Sequence, residues 1–289
     1  MIPKPPLAFD PRMTPLREGS AARSLEGEVE ATRFVEPEPA RIRAATAALR
    51  RNPDPQGPLD TELLHGEMVD VYGRAGGWVW GQARRDGYVG YLAAADLWPV
   101  EPSPTHRIRD LRAFIYPGPS IKATPIGHLP FGAECAVLGE EARFARIEAG
   151  YVFLEHLGPL EDKEADPVAV AERLIGIPYL WGGKSSLGLD CSGLVQTACH
   201  ACGISALRDS DMQEQTLGQA INIPDDPSLF DRGDLLFWEG HVGFSQGEGR
   251  LLHATGAFMK VVSEPLGLAI KRIAEQGHRL RTVRRLSKA

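Results

Sequence analysis

Apolar and polar positions divide this chain into stretches of different period. Cys191, Leu194, Val195, Ala198 and Cys202 recur at helical spacing, which predicts a helix with one buried face. Asp190 stands where an N-cap belongs, and Gly203 where such a helix stops. By contrast, Gly76-Gly77-Trp78-Val79-Trp80-Gly81-Gln82 and Gly87-Tyr88-Val89-Gly90-Tyr91-Leu92 alternate as strands do, with a turn at residues 84–87. Gly240-His241-Val242-Gly243-Phe244 and Arg250-Leu251-Leu252-His253-Ala254 read as the arms of a hairpin around the turn-forming Ser245-Gln246-Gly247-Glu248-Gly249. Residues 1–35 read as an arm with one short helix at residues 17–25. Pro167 opens a helix of about ten residues that ends near Leu174.

The β-rich part is written twice. Leu64-His65-Gly66-Glu67 is echoed by Pro130-Phe131-Gly132-Ala133, Gly87-Tyr88-Val89 by Gly150-Tyr151-Val152, and Leu97 by Leu157. Two repeats of roughly 60 residues predict two small β-barrels side by side, too few for a solenoid. The pattern resembles the bacterial SH3-like barrels that accompany cell-wall hydrolases. The expected organisation is an arm at 1–35, barrels at 36–100 and 101–160, and an α+β domain at 161–289, entered through the charged Glu161-Asp162-Lys163-Glu164-Ala165-Asp166.

Composition narrows the function. The chain has 289 residues, is 43% hydrophobic and carries a net charge of −6. That charge argues against nucleic acid as a partner and gives no help on anionic membranes. No signal peptide and no stretch of 18 apolar residues is visible, so a cytoplasmic, non-membrane protein is expected. Four cysteines make no disulfide framework, which suits a reducing compartment. Cys199, His200 and Cys202 lack a second ligand pair, so no metal and no cofactor is expected.

One cysteine has the setting of a nucleophile. A thiol at a helix N-terminus faces the positive end of the macrodipole, which favours the thiolate of Cys191. If the hairpin is symmetric about Gly247, His241 and His253 lie directly opposite each other. Cys191, His241 and His253 then supply nucleophile, base and orienter.

Tyr179-Leu180-Trp181-Gly182-Gly183, Asp190-Cys191-Ser192-Gly193-Leu194-Val195, Arg232-Gly233-Asp234-Leu235, Gly240-His241-Val242-Gly243 and Leu252-His253-Ala254 follow one another in order. Together they resemble the NlpC-type cysteine peptidases, papain-related enzymes that cut bacterial wall peptides. The resemblance covers about residues 165–289 and implies a papain-like α+β fold with Cys191, His241 and His253 as the catalytic set. It implies further that Tyr179 assists the oxyanion and Trp181 walls the substrate pocket, with Asp190 and Ser192 beside the nucleophile among the substrate contacts.

Arg208-Asp209-Ser210-Asp211-Met212-Gln213 looks like the segment that holds a free α-amine in the wall-peptide recycling branch, through Asp209 and Ser210. Tyr88 matches a barrel tyrosine that closes that pocket, with Glu67 as a second candidate. The implied activity is a γ-D-glutamyl-L-diamino acid endopeptidase acting on free murein peptides with an unblocked N-terminal L-Ala, releasing L-Ala-γ-D-Glu. The alternatives are a secreted hydrolase of intact peptidoglycan and a non-catalytic wall-peptide binding module. The diamino acid, diaminopimelate or lysine, stays open, as does the oligomeric state.

Overall fold

A computed structural model describes residues 9–224 and 226–286. The chain divides into two compact units, Met1–Asp162 and Lys163–Ala289.

The first unit is built of short strands. Among its described residues the opening segment forms no α-helix. Strands Leu16–Arg17, Ser20–Ala22 and Arg33–Val35 make a three-stranded sheet, and only a 3-10 turn at Arg23–Leu25 interrupts them. The cause is local: Glu18 and Gly19 take φ of +46° and +74°, which no helix accommodates, and the chain folds back at once.

A five-stranded sheet follows, in the order Leu97–Trp98, Glu38–Ile42, Met68–Ala75, Trp78–Ala83 and Val89–Ala93. Residues 106–159 repeat its closing pattern. The pair Trp78–Ala83 and Val89–Ala93 leads into a 3-10 turn and Leu97–Trp98. The pair Phe144–Ile147 and Gly150–Phe153 likewise leads into a 3-10 turn at Leu154–His156 and then Leu157–Pro159. Inward positions of this second segment, including Ile108, Ile115, Leu129, Ile147 and Val152, form its own core.

Buried charge ties the two β segments together. Arg41, 1% exposed, is paired with Glu148. Arg85 lies between Glu67, at 3.0 Å, and Glu134. Glu67 also accepts from the backbone N–H of Leu64 at 3.2 Å. Glu67 is therefore a buried partner of the half-buried Arg85.

The second unit places helices against one antiparallel sheet. The helices among its described residues are α1 (Pro167–Arg173), α2 (Cys191–Ala201), α3 (Ser210–Thr216) and α4 (Leu266–Glu275). Helix α1 has seven residues, shorter than its periodicity implies. The six-stranded sheet runs Gln219–Ile221, Thr282–Arg285, Asp234–Trp238, His241–Gly247, Arg250–Thr255 and Lys260–Pro265. Leu236, Trp238, Leu251, Leu266, Ala269 and Val283 pack α4 against this sheet. Helix α2 carries Cys191, and the sheet carries both histidines.

Candidate active site

The cysteine is fixed by the turn that precedes it. Asp190 caps α2, its Oδ1 accepting from the Gly193 N–H at 2.7 Å. Its Oδ2 accepts from the Gly182 N–H at 2.9 Å, which folds the preceding loop against the helix start. Arg208, 1% exposed, closes the cluster: it donates to Asp190 Oδ1 at 3.0 Å and Oδ2 at 2.6 Å, and to Ser192 Oγ at 2.9 Å. A Cβ at Gly193 would stand 2.1 Å from the Gly183 carbonyl oxygen, so only glycine lets loop and helix meet this closely. The polar groups of Asp190 and Ser192 are thus occupied within the loop, since Ser192 Oγ also donates to Asp190. These bonds hold the turn that presents the cysteine.

Cys191 is 7% exposed. Burial, together with the adjacent Asp190 carboxylate, pushes its thiol up to about 12, although the N–H groups of Val242 and Ser192 pull the other way. The helix terminus alone argues for a thiolate, but withdrawal from water outweighs it. Burial therefore favours the neutral thiol of Cys191.

The sulfur is held at the histidine strand. Cys191 Sγ lies 3.9 Å from the Gly240 carbonyl oxygen, and the Val242 N–H reaches it from the other side of His241. The two neighbours of His241 therefore both touch the thiol. The hairpin is not symmetric about Gly247. Phe244 pairs with Leu252, a bulge intervenes, and Gly247 pairs with Arg250. Glu248 and Gly249, with φ of +53° and +68°, form a two-residue turn, which shifts the register. His253 consequently lies against Gly243, where a Cβ would meet its own Cβ at 2.9 Å. The side chains still converge: His241 Nε2 and His253 Nδ1 are 2.8 Å apart.

The chain of contacts goes on beyond the second histidine. His253, 0% exposed, places Nε2 at 2.8 Å from Glu264 Oε1. Arg272 on α4 holds both Glu264 oxygens at 2.6 Å. Burial opposes ionisation of Glu264, yet the hydrogen bonds from Arg272 and His253 prevail and hold its carboxyl down at about 2. An ionised Glu264 can only accept, so His253 donates from Nε2. A ring with one proton then accepts at Nδ1, and His241 donates from Nε2. The bare nitrogen of His241 is Nδ1, the geometry a general base needs. Burial, with the His253 ring and the Arg272 guanidinium nearby, pushes His241 down to about 3.

Tyr179 is bridged to Leu189, two residues before Cys191, and its N–H donates to Met259 O at 2.9 Å. Burial, with Cys191 and the Asp190 carboxylate close by, raises its hydroxyl, which stays protonated and able to donate. Trp181 stands 69% exposed on the loop before the cysteine. Asp209 occupies the N-cap position of α3 without a side-chain capping bond, and Ser210 follows it; both are half-buried. Gln213, fully buried, joins α3 to the cysteine turn by donating to Ser192 O at 2.9 Å and Leu207 O at 2.8 Å. Tyr88 belongs to the first unit. There it is 4% exposed and lines a cavity of about 700 Å³ with Arg17, Trp80 and Tyr91.

A buried thiol at a helix start, served by paired histidines on an antiparallel sheet, defines a thiol hydrolase of papain-like architecture. Residues 176–282 match the NlpC/P60 family, and residues 49–97 match the bacterial dipeptidyl-peptidase Sh3 domain. The gamma-D-glutamyl-L-lysine dipeptidyl-peptidase of Bacillus subtilis (strain 168) is 30% identical over 235 residues, 71% of this chain and 76% of that protein. The Bacillus cereus protein of the same name is 26% identical over 241 residues, 72% and 71% of the two chains. The crystal structure of an NlpC/P60 family protein from Bacillus cereus ATCC 10987 shares the fold, with a TM-score of 0.72 at 23% identity, covering 86% of this chain and 99% of that one. This chain belongs to the NlpC/P60 family and is a cysteine peptidase.

Glu264, Arg272, Arg208 and Gln213 take part in the site although their functional role carries no motif. Arg208 and Gln213 flank the Asp209-Ser210 segment, and a cation and an amide so close to an apolar helix were the available signal. Glu264 had none beyond its place in an alternating strand.

Proposed function

We propose that this protein hydrolyses the γ-D-glutamyl–diamino acid bond of murein peptides that carry a free N-terminal L-Ala, releasing L-Ala-γ-D-Glu. The observation that carries the chemistry is the contact chain from Cys191 through the strand at His241 to His253 and Glu264. The names of the two Bacillus relatives support the bond.

His241 Nδ1 takes the thiol proton as Cys191 Sγ attacks the γ-carbonyl carbon of D-Glu. Thiol and imidazole both start neutral, so proton transfer accompanies attack. Tyr179 Oη–H donates to the developing oxyanion. His241 then protonates the departing α-amine, the thioester forms, and a water deprotonated by His241 hydrolyses it. Trp181 walls the acyl side.

Asp209 and Ser210 receive the N-terminal ammonium of L-Ala through charge-assisted hydrogen bonds. A pocket built to receive that ammonium rejects peptides whose alanine is already acylated. This selectivity directs the enzyme to freed peptides, as recycling requires. The shared order of strands, 3-10 turn and closing strand in residues 36–100 and 101–160 supports two SH3-like barrels ahead of the peptidase domain at 161–289.

The test compares L-Ala-γ-D-Glu-L-Lys with its N-acetylated form. The free peptide is expected to be cut about 30- to 100-fold faster, because acetylation removes the cation that Asp209 and Ser210 are proposed to receive. Equal rates contradict amine recognition.

A further inference from the structure

We propose that a cavity bordering His241 is the subsite for the departing diamino acid, and that Glu239 receives its side-chain ammonium. The inference rests on the bond assignment above. A cavity of about 400 Å³ in the second unit is lined by His241, Glu239, Thr255, Gly256, Arg272 and His278, among others. Its volume lies within the range of small-ligand sites, roughly 300–1,000 Å³.

Proton delivery sets which part of the substrate goes there. His241 hands its proton to the departing α-amine, so that nitrogen must come within hydrogen-bond reach of the ring. The body of the departing residue then occupies the space the same ring borders. A departing diamino acid carries an α-carboxylate and a distant ammonium, and the cavity wall carries both opposite charges.

Arg272 supplies positive charge on the side where Glu264 anchors it by two hydrogen bonds. Glu239 supplies the carboxylate, with a side chain 75% exposed, and His278 Nδ1 is 3.9 Å from it. His241 follows Glu239 by two residues, so the strand turn that positions the base also positions the acid. A chain ending in a methyl group would forgo the pair with Glu239, whereas one ending in an ammonium makes it.

The experiment measures kcat/KM for L-Ala-γ-D-Glu-L-Lys and for the same tripeptide ending in norleucine, which keeps the carbon chain and lacks the ammonium. Both are run on the full chain and on Glu239→Gln, whose exposed site leaves folding undisturbed. The wild type is expected to prefer lysine by about five- to tenfold, the size of one partly exposed charge-assisted hydrogen bond. Glu239→Gln is expected to remove that preference by losing rate on the lysine peptide alone. Equal rates on both peptides in the wild type, or a Glu239→Gln loss shared by both, overturns the subsite. Failure of the wild type to cut either peptide refutes the bond assignment and the subsite with it, so the two failures are distinct.

Discussion

Replacing Arg208 with methionine removes a cation paired with Asp190 inside the cysteine turn. The side chain donates to Asp190 at 2.6 Å and 3.0 Å, to Ser192 Oγ at 2.9 Å, and to Gly183 O at 3.3 Å. Methionine fills much of the same volume, so the loss is one of charge pairing more than of packing. Asp190 would keep the Gly182 and Gly193 N–H groups but stay buried without a counter-charge. Breaking one side of such a pair costs about 3–5 kcal/mol.

The second unit, Lys163–Ala289, has 127 residues. A domain of that size shifts its midpoint by roughly 3–5 °C per kcal/mol, so a fall of roughly 10–20 °C is expected. Scanning calorimetry of the full chain measures this fall. Asp190→Asn combined with Arg208→Met should recover about half of the loss, because the uncompensated charge is gone. A fall below about 3 °C for Arg208→Met, or no recovery in the double variant, would refute the account of the turn.

Other outcomes follow from the same geometry. Gly193→Ala should lower kcat by about 100-fold or more, since its Cβ would collide with the Gly183 carbonyl and move the cysteine. Glu264→Gln can donate or accept, so His253 loses its fixed tautomer, and kcat should fall about 10- to 100-fold with KM little changed. Stability should also respond to acid. The carboxyl of Glu264 falls from 4.5 to about 2 on folding, so its contribution is complete above pH 4.5 and is lost as pH drops from there through about 2. Acid unfolding followed by circular dichroism should lose part of that slope in Glu264→Gln. Because burial raises Cys191 and lowers His241, the free enzyme should show no thiolate ultraviolet absorbance at pH 7. A thiolate signal there would contradict the neutral pair.

Local signals carried much of this fold. The N-cap, the spacing of α2 and the glycine after it mark the nucleophile turn, because capping and periodicity are short-range properties. The strands around His241 and His253 were legible for the same reason. Their register was not, because it depends on where a bulge falls, and the positive φ values of Glu248 and Gly249 decide that. Arg208 reads in sequence as a charge in an acidic surface turn; only the folded chain buries it against Asp190. Glu264 and Arg272 come from different elements and meet across the sheet edge, a juxtaposition no local pattern encodes. The thiol of Cys191 shows the limit most plainly: the helix dipole predicts its direction of shift, and burial reverses it.

The central claim is that the Cys191 thiol opens the γ-D-glutamyl bond. Mass spectrometry of L-Ala-γ-D-Glu-L-Lys incubated with wild type and with Cys191→Ala tests it most directly. The account predicts L-Ala-γ-D-Glu and free lysine from the wild type, and intact tripeptide from a folded Cys191→Ala. Release of alanine in place of the dipeptide, or turnover retained without the thiol, would contradict it.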